Sequence, residues 1–97
     1  MVPLEIRIIR SNEISEFEWL FHIYRRDGQF QAVICDGTLE AEPIGDWEPE
    51  LDDEEAYRAY CEQYLDQLIQ DRPETAYGYA SELIHAVELL DTDDDDF

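Results

Sequence analysis

Hydrophobic residues alternate with polar ones over the first third of the chain, a period typical of β-strands. The alternating apolar positions form three runs: Leu4, Ile6 and Ile8, then Phe17, Trp19, Phe21 and Ile23, then Phe30, Ala32 and Ile34. Most of these side chains are β-branched or aromatic, as strands favour. Asp27-Gly28, between the second and third runs, is the signal of a tight β-hairpin. The pattern predicts a three-stranded antiparallel β-meander within residues 1–37, in which consecutive strands are neighbours.

The second run also carries large side chains on its other face, at Leu20, His22 and Tyr24. A strand that is largely apolar on both sides is expected in the middle of a sheet. Because this second face has no predicted cover, it leaves room for a homodimer that forms through the sheet at Leu20, Tyr24 and Val33.

The period changes to that of an amphipathic helix after residue 51. One helical stripe contains Tyr57, Tyr60, Cys61, Tyr64, Leu65, Leu68 and Ile69. Asp52 is the predicted N-cap, with Glu55 three residues later to complete a capping box. Pro73 begins a second helix. Its apolar stripe is Ala76, Ala80, Leu83, Val87 and Leu90. We expect both helices, within 52–90, to pack on one face of the sheet, which makes an α+β fold.

The segment between the sheet and the helices, residues 38–51, contains Pro43 and Pro49 among acids and is predicted to be an acidic loop. Residues 1–90 are then a single α+β domain, since a chain of 97 residues is long enough for one modest core. The last residues, 91–97, are mostly aspartate and are predicted to be a disordered acidic tail.

The net charge of the chain indicates which class of partner it can bind. The chain has 26 Asp and Glu residues against 6 basic ones, a formal net charge of -20. Nucleic acids and anionic membranes are repelled at this charge, so neither is expected as a direct partner. The apolar runs are too short to span a bilayer and the first residues do not resemble a signal peptide, so a cytoplasmic location is expected.

Acids are concentrated between residues 40 and 55, where nine of them occur without a basic residue. On the helix that follows, Glu55, Glu62 and Asp66 share one side, with axial steps of roughly 10 and 6 Å. These steps are comparable to the separation of successive phosphates in nucleic acid. The predicted partner-binding residues are Glu40, Glu42, Asp46, Trp47, Glu48, Glu50, Asp52, Asp53, Glu54, Glu55, Glu62 and Asp66.

In size and acid content the chain resembles the DNA-mimic inhibitors of phages and mobile elements, among them anti-restriction proteins, uracil-DNA glycosylase inhibitors and some anti-CRISPR proteins. The resemblance implies a protein that occupies the DNA- or RNA-binding surface of a positively charged nucleic-acid-binding protein or nuclease. An immunity or antitoxin-type inhibitor would instead use a compact acidic patch, with Trp47 as an aromatic anchor. An acidic adaptor of a basic protein and a generic acidic domain of a halophile have the same charge properties, so these alternatives stay open.

The sequence contains no Gly-rich phosphate loop and no nucleophile motif. The chain is therefore predicted not to be an enzyme and to need no cofactor. Asp91, Asp93 and Asp95 have the spacing of the first ligands of a calcium loop, but the glycine and glutamate that such a loop requires do not follow. Cys35 and Cys61 are far apart in sequence and are predicted to be buried, reduced thiols, so no metal site is expected.

Overall fold

A computed structural model describes residues 2–11 and 15–83 as an antiparallel β-sheet with two α-helices. In chain order the elements are β1 (Leu4–Ser11), β2 (Glu16–Arg26), β3 (Gln29–Asp36), β4 (Leu39–Pro43), β5 (Glu48–Pro49), α1 (Glu54–Asp71), α2 (Pro73–Tyr79) and β6 (Ser81–Leu83). Four strands lie in the order β1-β2-β3-β4, while β5 also pairs with β3 and β6 pairs with β2. The predicted α+β fold is confirmed. The predicted acidic tail, 91–97, and the end of the predicted second helix lie outside the described residues.

The first three strands are consecutive neighbours in the sheet. Asp27 and Gly28 join β2 to β3 with φ values of 54° and 76°, the positive values that a tight two-residue hairpin turn requires. The register places Phe21 opposite both Ile6 and Ile34. Because side chains alternate along each strand, the three apolar runs share one face of the sheet.

The hydrophobic core lies between that face and α1. Phe21 and Phe30 are buried there, and α1 adds Tyr57, Cys61 and Leu65, which are spaced one helical turn apart. Burial of a leucine side chain such as that of Leu65 contributes roughly 1.5–3 kcal/mol. The helix is therefore held to the sheet mainly by its apolar stripe.

Trp19 connects the second helix to the sheet. Its indole Nε1 donates to the Ala76 carbonyl oxygen at 2.8 Å, and both residues are fully buried. The bond satisfies a donor and an acceptor whose burial without partners would be costly. α2 begins at Pro73, whose constrained φ suits the first helical position.

The segment 38–51 differs from the prediction because it contains β4 and β5, and the sheet accordingly has more strands than the three predicted. β3 is buried on both faces, at Ile34 and Cys35, so it is a central strand that needs a neighbour on each side. The segment supplies that neighbour and forms an edge of the sheet. Pro43 and Pro49 are tolerated there because an edge strand pairs on one side only.

The start of α1 differs from the prediction by one residue. Asp53, rather than Asp52, is the N-cap, and its carboxylate Oδ1 accepts from the Ala56 N–H at 2.9 Å. The predicted capping box with Glu55 is therefore absent at this helix start. Asp53 satisfies an N–H group that would otherwise lack a partner in the first helical turn.

The second helix is shorter than predicted. It ends at Tyr79, and Leu83, which was expected in a helical stripe, lies in β6. β6 pairs with Glu16–Glu18, the part of β2 that extends beyond its pairing with β3. The backbone groups of β2 at this point need partners, and the segment after α2 provides them. Within the described ranges, neither helix has the length and apolar character that a membrane span requires.

Candidate functional site

The acids from Glu40 to Glu55 follow one border of the sheet. β4 and β5 form this edge beside β3, and the chain then passes from β5 to the start of α1. Every acid in this range is exposed, whereas Trp47 among them is half-buried. Ten of the twelve predicted partner-binding residues lie along this border, and the other two, Glu62 and Asp66, lie further along α1.

A β-bulge divides the acids of β4 between the two faces of the sheet. The register pairs Ile34 with Glu42 but Cys35 with Glu40, which leaves Ala41 as an extra residue on β4. Strict alternation would place Glu40 and Glu42 on the same face, and the bulge places them on opposite faces. The two carboxylates consequently meet different partners.

Glu40 lies on the face of the sheet away from the helices. Its Oε2 accepts a hydrogen bond from the Tyr24 hydroxyl and lies 2.6 Å from Nδ1 of His22. The hydrogen bond from Tyr24 lowers the pKa of Glu40, and the bond to His22 lowers it further. The same contact with Glu40 raises the pKa of Tyr24. The carboxylate of Glu40 therefore has hydrogen-bonding partners within the protein.

Glu42 lies on the helix side. Its Oε2 accepts from the Tyr79 hydroxyl at 2.7 Å, which joins β4 to the end of α2. This hydrogen bond is the main reason that the pKa of Tyr79 is raised to about 12. Like Glu40, Glu42 has a partner within the protein.

Arg10 of β1 contacts the two acids predicted for the middle of α1. Its guanidinium lies 3.9 Å from Glu62 and 3.3 Å from Asp66. A single arginine thus balances two of the three carboxylates in the predicted row, and the third, Glu55, forms no ion pair within the described part of the chain. The row is not uniformly negative along its length. We call Glu40, Glu42, Glu62 and Asp66 the paired acids.

The remaining acids of the border form a second class. We call these residues the open acidic group: Asp46, Glu48, Glu50, Asp52, Asp53, Glu54 and Glu55. None of them forms an ion pair within residues 2–11 and 15–83. The Glu50 N–H donates to the Gly28 carbonyl at 3.0 Å, so the group lies beside the β2–β3 hairpin. The start of α1 supplies a positive helix-dipole end that reduces the repulsion among these carboxylates.

Trp47 lies within the open acidic group and contacts the hairpin. The Arg26 guanidinium lies 4.5 Å from the centroid of its ring, a cation–π geometry. Arg25 is placed similarly over Tyr57 at 6.0 Å. Both arginines belong to β2, so this end of the sheet has some positive charge. The seven open acids and Asp27 outnumber these two arginines, and the local balance remains strongly negative.

A groove that the sequence did not predict runs along α1 on the side of the sheet edge. Its lining residues are Ile44, Tyr60, Gln63, Tyr64 and Gln67. The tyrosines were assigned to the apolar stripe, but they are only half-buried and contribute to this surface. The signal that could have revealed the groove is the pair of uncharged glutamines, since each lies three residues after one of these tyrosines on the helix.

Neither a metal site nor a reactive thiol is present in the part of the chain that the structure describes. No group of three His, Cys, Asp or Glu side chains there is placed to hold a metal ion. Cys35 and Cys61 are free and buried, as predicted. Burial raises the pKa of Cys35 to about 11 and that of Cys61 to about 12, so both are protonated at neutral pH.

The face of the sheet proposed for a homodimer is partly covered in the single chain. Val33 has only 8% of its surface exposed, and Leu20 and Tyr24 are half-buried. The exposed large hydrophobic residues of the strands are Ile9 and Leu39, on β1 and β4. Ile9 lies on this same face, because it is in register with Glu18, and the homodimer stays a prediction.

Comparison with protein-family models, with curated proteins and with solved structures finds no significant match to this chain.

Proposed function

We propose that the protein is a small acidic inhibitor that mimics nucleic acid and occupies the DNA- or RNA-binding surface of a basic protein, as anti-restriction and anti-CRISPR proteins of phages and mobile elements do. The observation that carries the proposal is the open acidic group, in which seven exposed carboxylates lie together at one end of the sheet and form no ion pair with any other described residue. The proposal concerns a positively charged partner and no direct contact with nucleic acid.

The physical basis is counterion exchange. A surface that binds nucleic acid is lined with Lys and Arg, and a polyanion that docks on it releases bound ions. The open acidic group offers the partner the same release, so the affinity is expected to fall as the salt concentration rises. The group is also held by regular structure, because Glu48 lies in a strand paired with β3 and Glu54 and Glu55 lie in a capped helical turn. On such a backbone only the side chains, and not the main chain, lose conformational freedom on binding.

An immunity or antitoxin-type inhibitor of a basic nuclease is the second candidate function. It is favoured by the compactness of the open acidic group, since Arg10 balances Glu62 and Asp66 and the free charge is concentrated at the start of α1. Trp47 would be the aromatic residue near the centre of such a patch. Both candidates need the same open acids and a partner with a basic cleft.

Two charge variants test the proposal. The test variant, Glu48→Gln/Glu50→Gln/Glu55→Gln, removes three charges from the open acidic group. The control variant, Asp36→Asn/Glu74→Gln/Glu82→Gln, removes three charges from exposed positions elsewhere. Each variant and the wild type are immobilised, a cell lysate is applied, and the bound proteins are eluted either with rising salt or with a duplex DNA competitor.

We expect wild type and control to retain the same nucleic-acid-binding proteins, which the DNA competitor displaces, and the test variant to lose them. The thermal unfolding midpoint of the test variant should stay the same or rise, because neutralisation relieves repulsion. Undiminished retention by the test variant would contradict the proposal. Absence of any basic protein on the wild type at low salt would also reject it, and would leave the acidity as an adaptation to the solvent.

A further inference from the structure

The groove along α1 continues in both directions from its central part. The central part has a volume of about 400 Å³ and is lined by Tyr60, Gln63, Tyr64 and Gln67 together with Ile44. Adjoining depressions share Tyr60 and Gln63 towards the helix start, and Tyr64 and Gln67 towards its end. The linings reach from position 56 to position 71 of α1, a length of roughly 22 Å at the rise of an α-helix.

The floor of the groove is held rigidly. The Tyr60 ring packs edge-on against buried Phe30, with ring centroids 5.0 Å apart. Its hydroxyl lies so close to Gly45 that a Cβ atom there would come within 2.7 Å of it. The Gly45 carbonyl in turn accepts from Gln31 Nε2 at 3.1 Å, which fixes the backbone opposite the tyrosine. The position of the Tyr60 ring is thus defined by contacts within the protein.

The rims of the groove near Tyr60 and Tyr64 carry negative charge. Partial burial raises the pKa of Tyr60, and the neighbouring carboxylates of Glu48 and Asp46 raise it further. Partial burial likewise raises the pKa of Tyr64, with a further contribution from Glu42. Glu62 and Asp66 line the adjoining depression towards the helix start, where Arg10 pairs with both, and Arg72 lines the depression at the far end.

We propose that this groove binds arginine side chains from an extended segment of the basic partner; the inference rests on the proposed function and specifies where that partner docks. A guanidinium group is planar and stacks on aromatic rings, which Tyr60 and Tyr64 provide. The amide oxygens of Gln63 and Gln67 accept hydrogen bonds from its N–H groups. The rim carboxylates add charge-assisted bonds. A second copy of this chain, with a net charge of -20, is repelled by the same rims.

The test uses the full chain labelled with ¹⁵N and a blocked eight-residue peptide of alternating Arg and Ala. Binding is followed by NMR through the side-chain amide signals of Gln63 and Gln67, and the dissociation constant is obtained from the titration. Gln67→Arg adds one positive charge inside the groove. Gln70→Arg adds the same charge at an exposed position of α1 that lines none of these depressions.

We expect the peptide to shift both glutamine signals and Gln67→Arg to weaken binding at least about fivefold, a modest repulsive effect on the affinity scale. Gln70→Arg should weaken it less than about twofold, since a solvent-exposed charge is screened. A matching peptide of Lys and Ala should bind more weakly, because an ammonium group does not stack in the same way. Thermal unfolding of both variants establishes that they are folded.

Equal weakening by Gln67→Arg and Gln70→Arg, or equal affinity for the two peptides, would overturn the groove proposal. Peptide binding that shifts neither glutamine signal and is lost in Glu48→Gln/Glu50→Gln/Glu55→Gln would also overturn it, while the proposed function would stand. Absence of peptide binding to the wild type would overturn the groove, and only the lysate experiment would then decide whether the proposed function fails as well.

Discussion

The paired acids and the open acidic group come from the same acidic part of the chain, yet they have different surroundings. Glu40 and Glu42 accept hydrogen bonds from Tyr24 and Tyr79, and Glu62 and Asp66 lie against Arg10. The open acids have no ion pair within the described residues, although they lie only a few positions away in sequence. The difference shows that a run of acids is not one surface. Whether an acid is available to a partner depends on what the fold places opposite it.

The two classes of acid also have opposite effects on the stability of the fold. The paired acids join β4 to β2 and to α2, and they join β1 to α1, so their removal should destabilise the fold. The open acids repel one another, so their neutralisation should leave stability unchanged or increase it. Three predictions test this contrast, beginning with the one member of the open group that also has a structural role.

Asp53→Ala should lower the free energy of unfolding by about 1 kcal/mol, the usual effect of removing an N-cap side chain. Its carboxylate accepts from the Ala56 N–H at 2.9 Å, whereas no N-cap bond involves Asp52. Asp52→Ala is therefore the matched control and should leave stability nearly unchanged. Urea unfolding of the two variants measures the difference. If both variants lost the same free energy of unfolding, the negative charge near the helix start, and not the N-cap hydrogen bond, would be the source of the stability.

Tyr79→Phe should lower the free energy of unfolding by roughly 0.5–1 kcal/mol, since it removes the hydrogen bond to Glu42 from a partly solvated site. The pKa of Tyr79 is raised to about 12 in the folded protein, against about 10 for an unperturbed tyrosine. A raised pKa means that this contribution is present below pH 10 and is lost as the pH rises towards 12.

The phenolate absorbance of wild type and Tyr79→Phe, titrated with base, measures this difference. The wild type should show a step near pH 12 that Tyr79→Phe removes, and Glu42→Gln should move this step to lower pH. Glu40→Gln, on the opposite face, is the control: it should make Tyr24 ionise earlier and leave the step near pH 12 unchanged. If Glu40→Gln and Glu42→Gln shifted the ionisation of Tyr79 equally, Glu40 and Glu42 would not lie on opposite faces of the sheet as the bulge requires.

Arg10→Ala should have the smallest effect on stability, less than about 1 kcal/mol and smaller still at high salt, because its ion pairs are partly solvated. The substitution converts Glu62 and Asp66 from paired acids into open ones. Retention of basic proteins from a lysate should therefore increase relative to wild type. A triple variant, Arg10→Ala/Glu62→Gln/Asp66→Asn, should return retention to the wild-type level. Unchanged retention in Arg10→Ala would confine the binding surface to the start of α1.

The elements whose signals are local could be predicted from the amino-acid sequence. Alternation predicted β1, β2 and β3, the Asp27-Gly28 pair predicted their hairpin, and the helical stripe predicted α1. These signals are local because a strand or helix that buries one face must repeat its apolar residues at the period of that element. The α+β class followed from the order of the elements. The position of the N-cap could not be predicted from the sequence, because Asp52 and Asp53 are equally suitable cap residues. Which of them caps α1 depends on where the first helical turn closes.

Which acids are open depends on contacts that form only in the folded protein. The partners of the paired acids are distant in sequence, with Arg10 separated from Asp66 by 56 positions and Tyr79 from Glu42 by 37. The bulge at Ala41 places Glu40 and Glu42 on opposite faces of the sheet and arises from the register of β4 against β3. No glycine at the bulge marks its position in the sequence. β4 and β5 themselves form because buried β3 requires a neighbour. Local sequence patterns do not predict such contacts, because these hydrogen bonds and ion pairs join residues that come close together only in the complete fold.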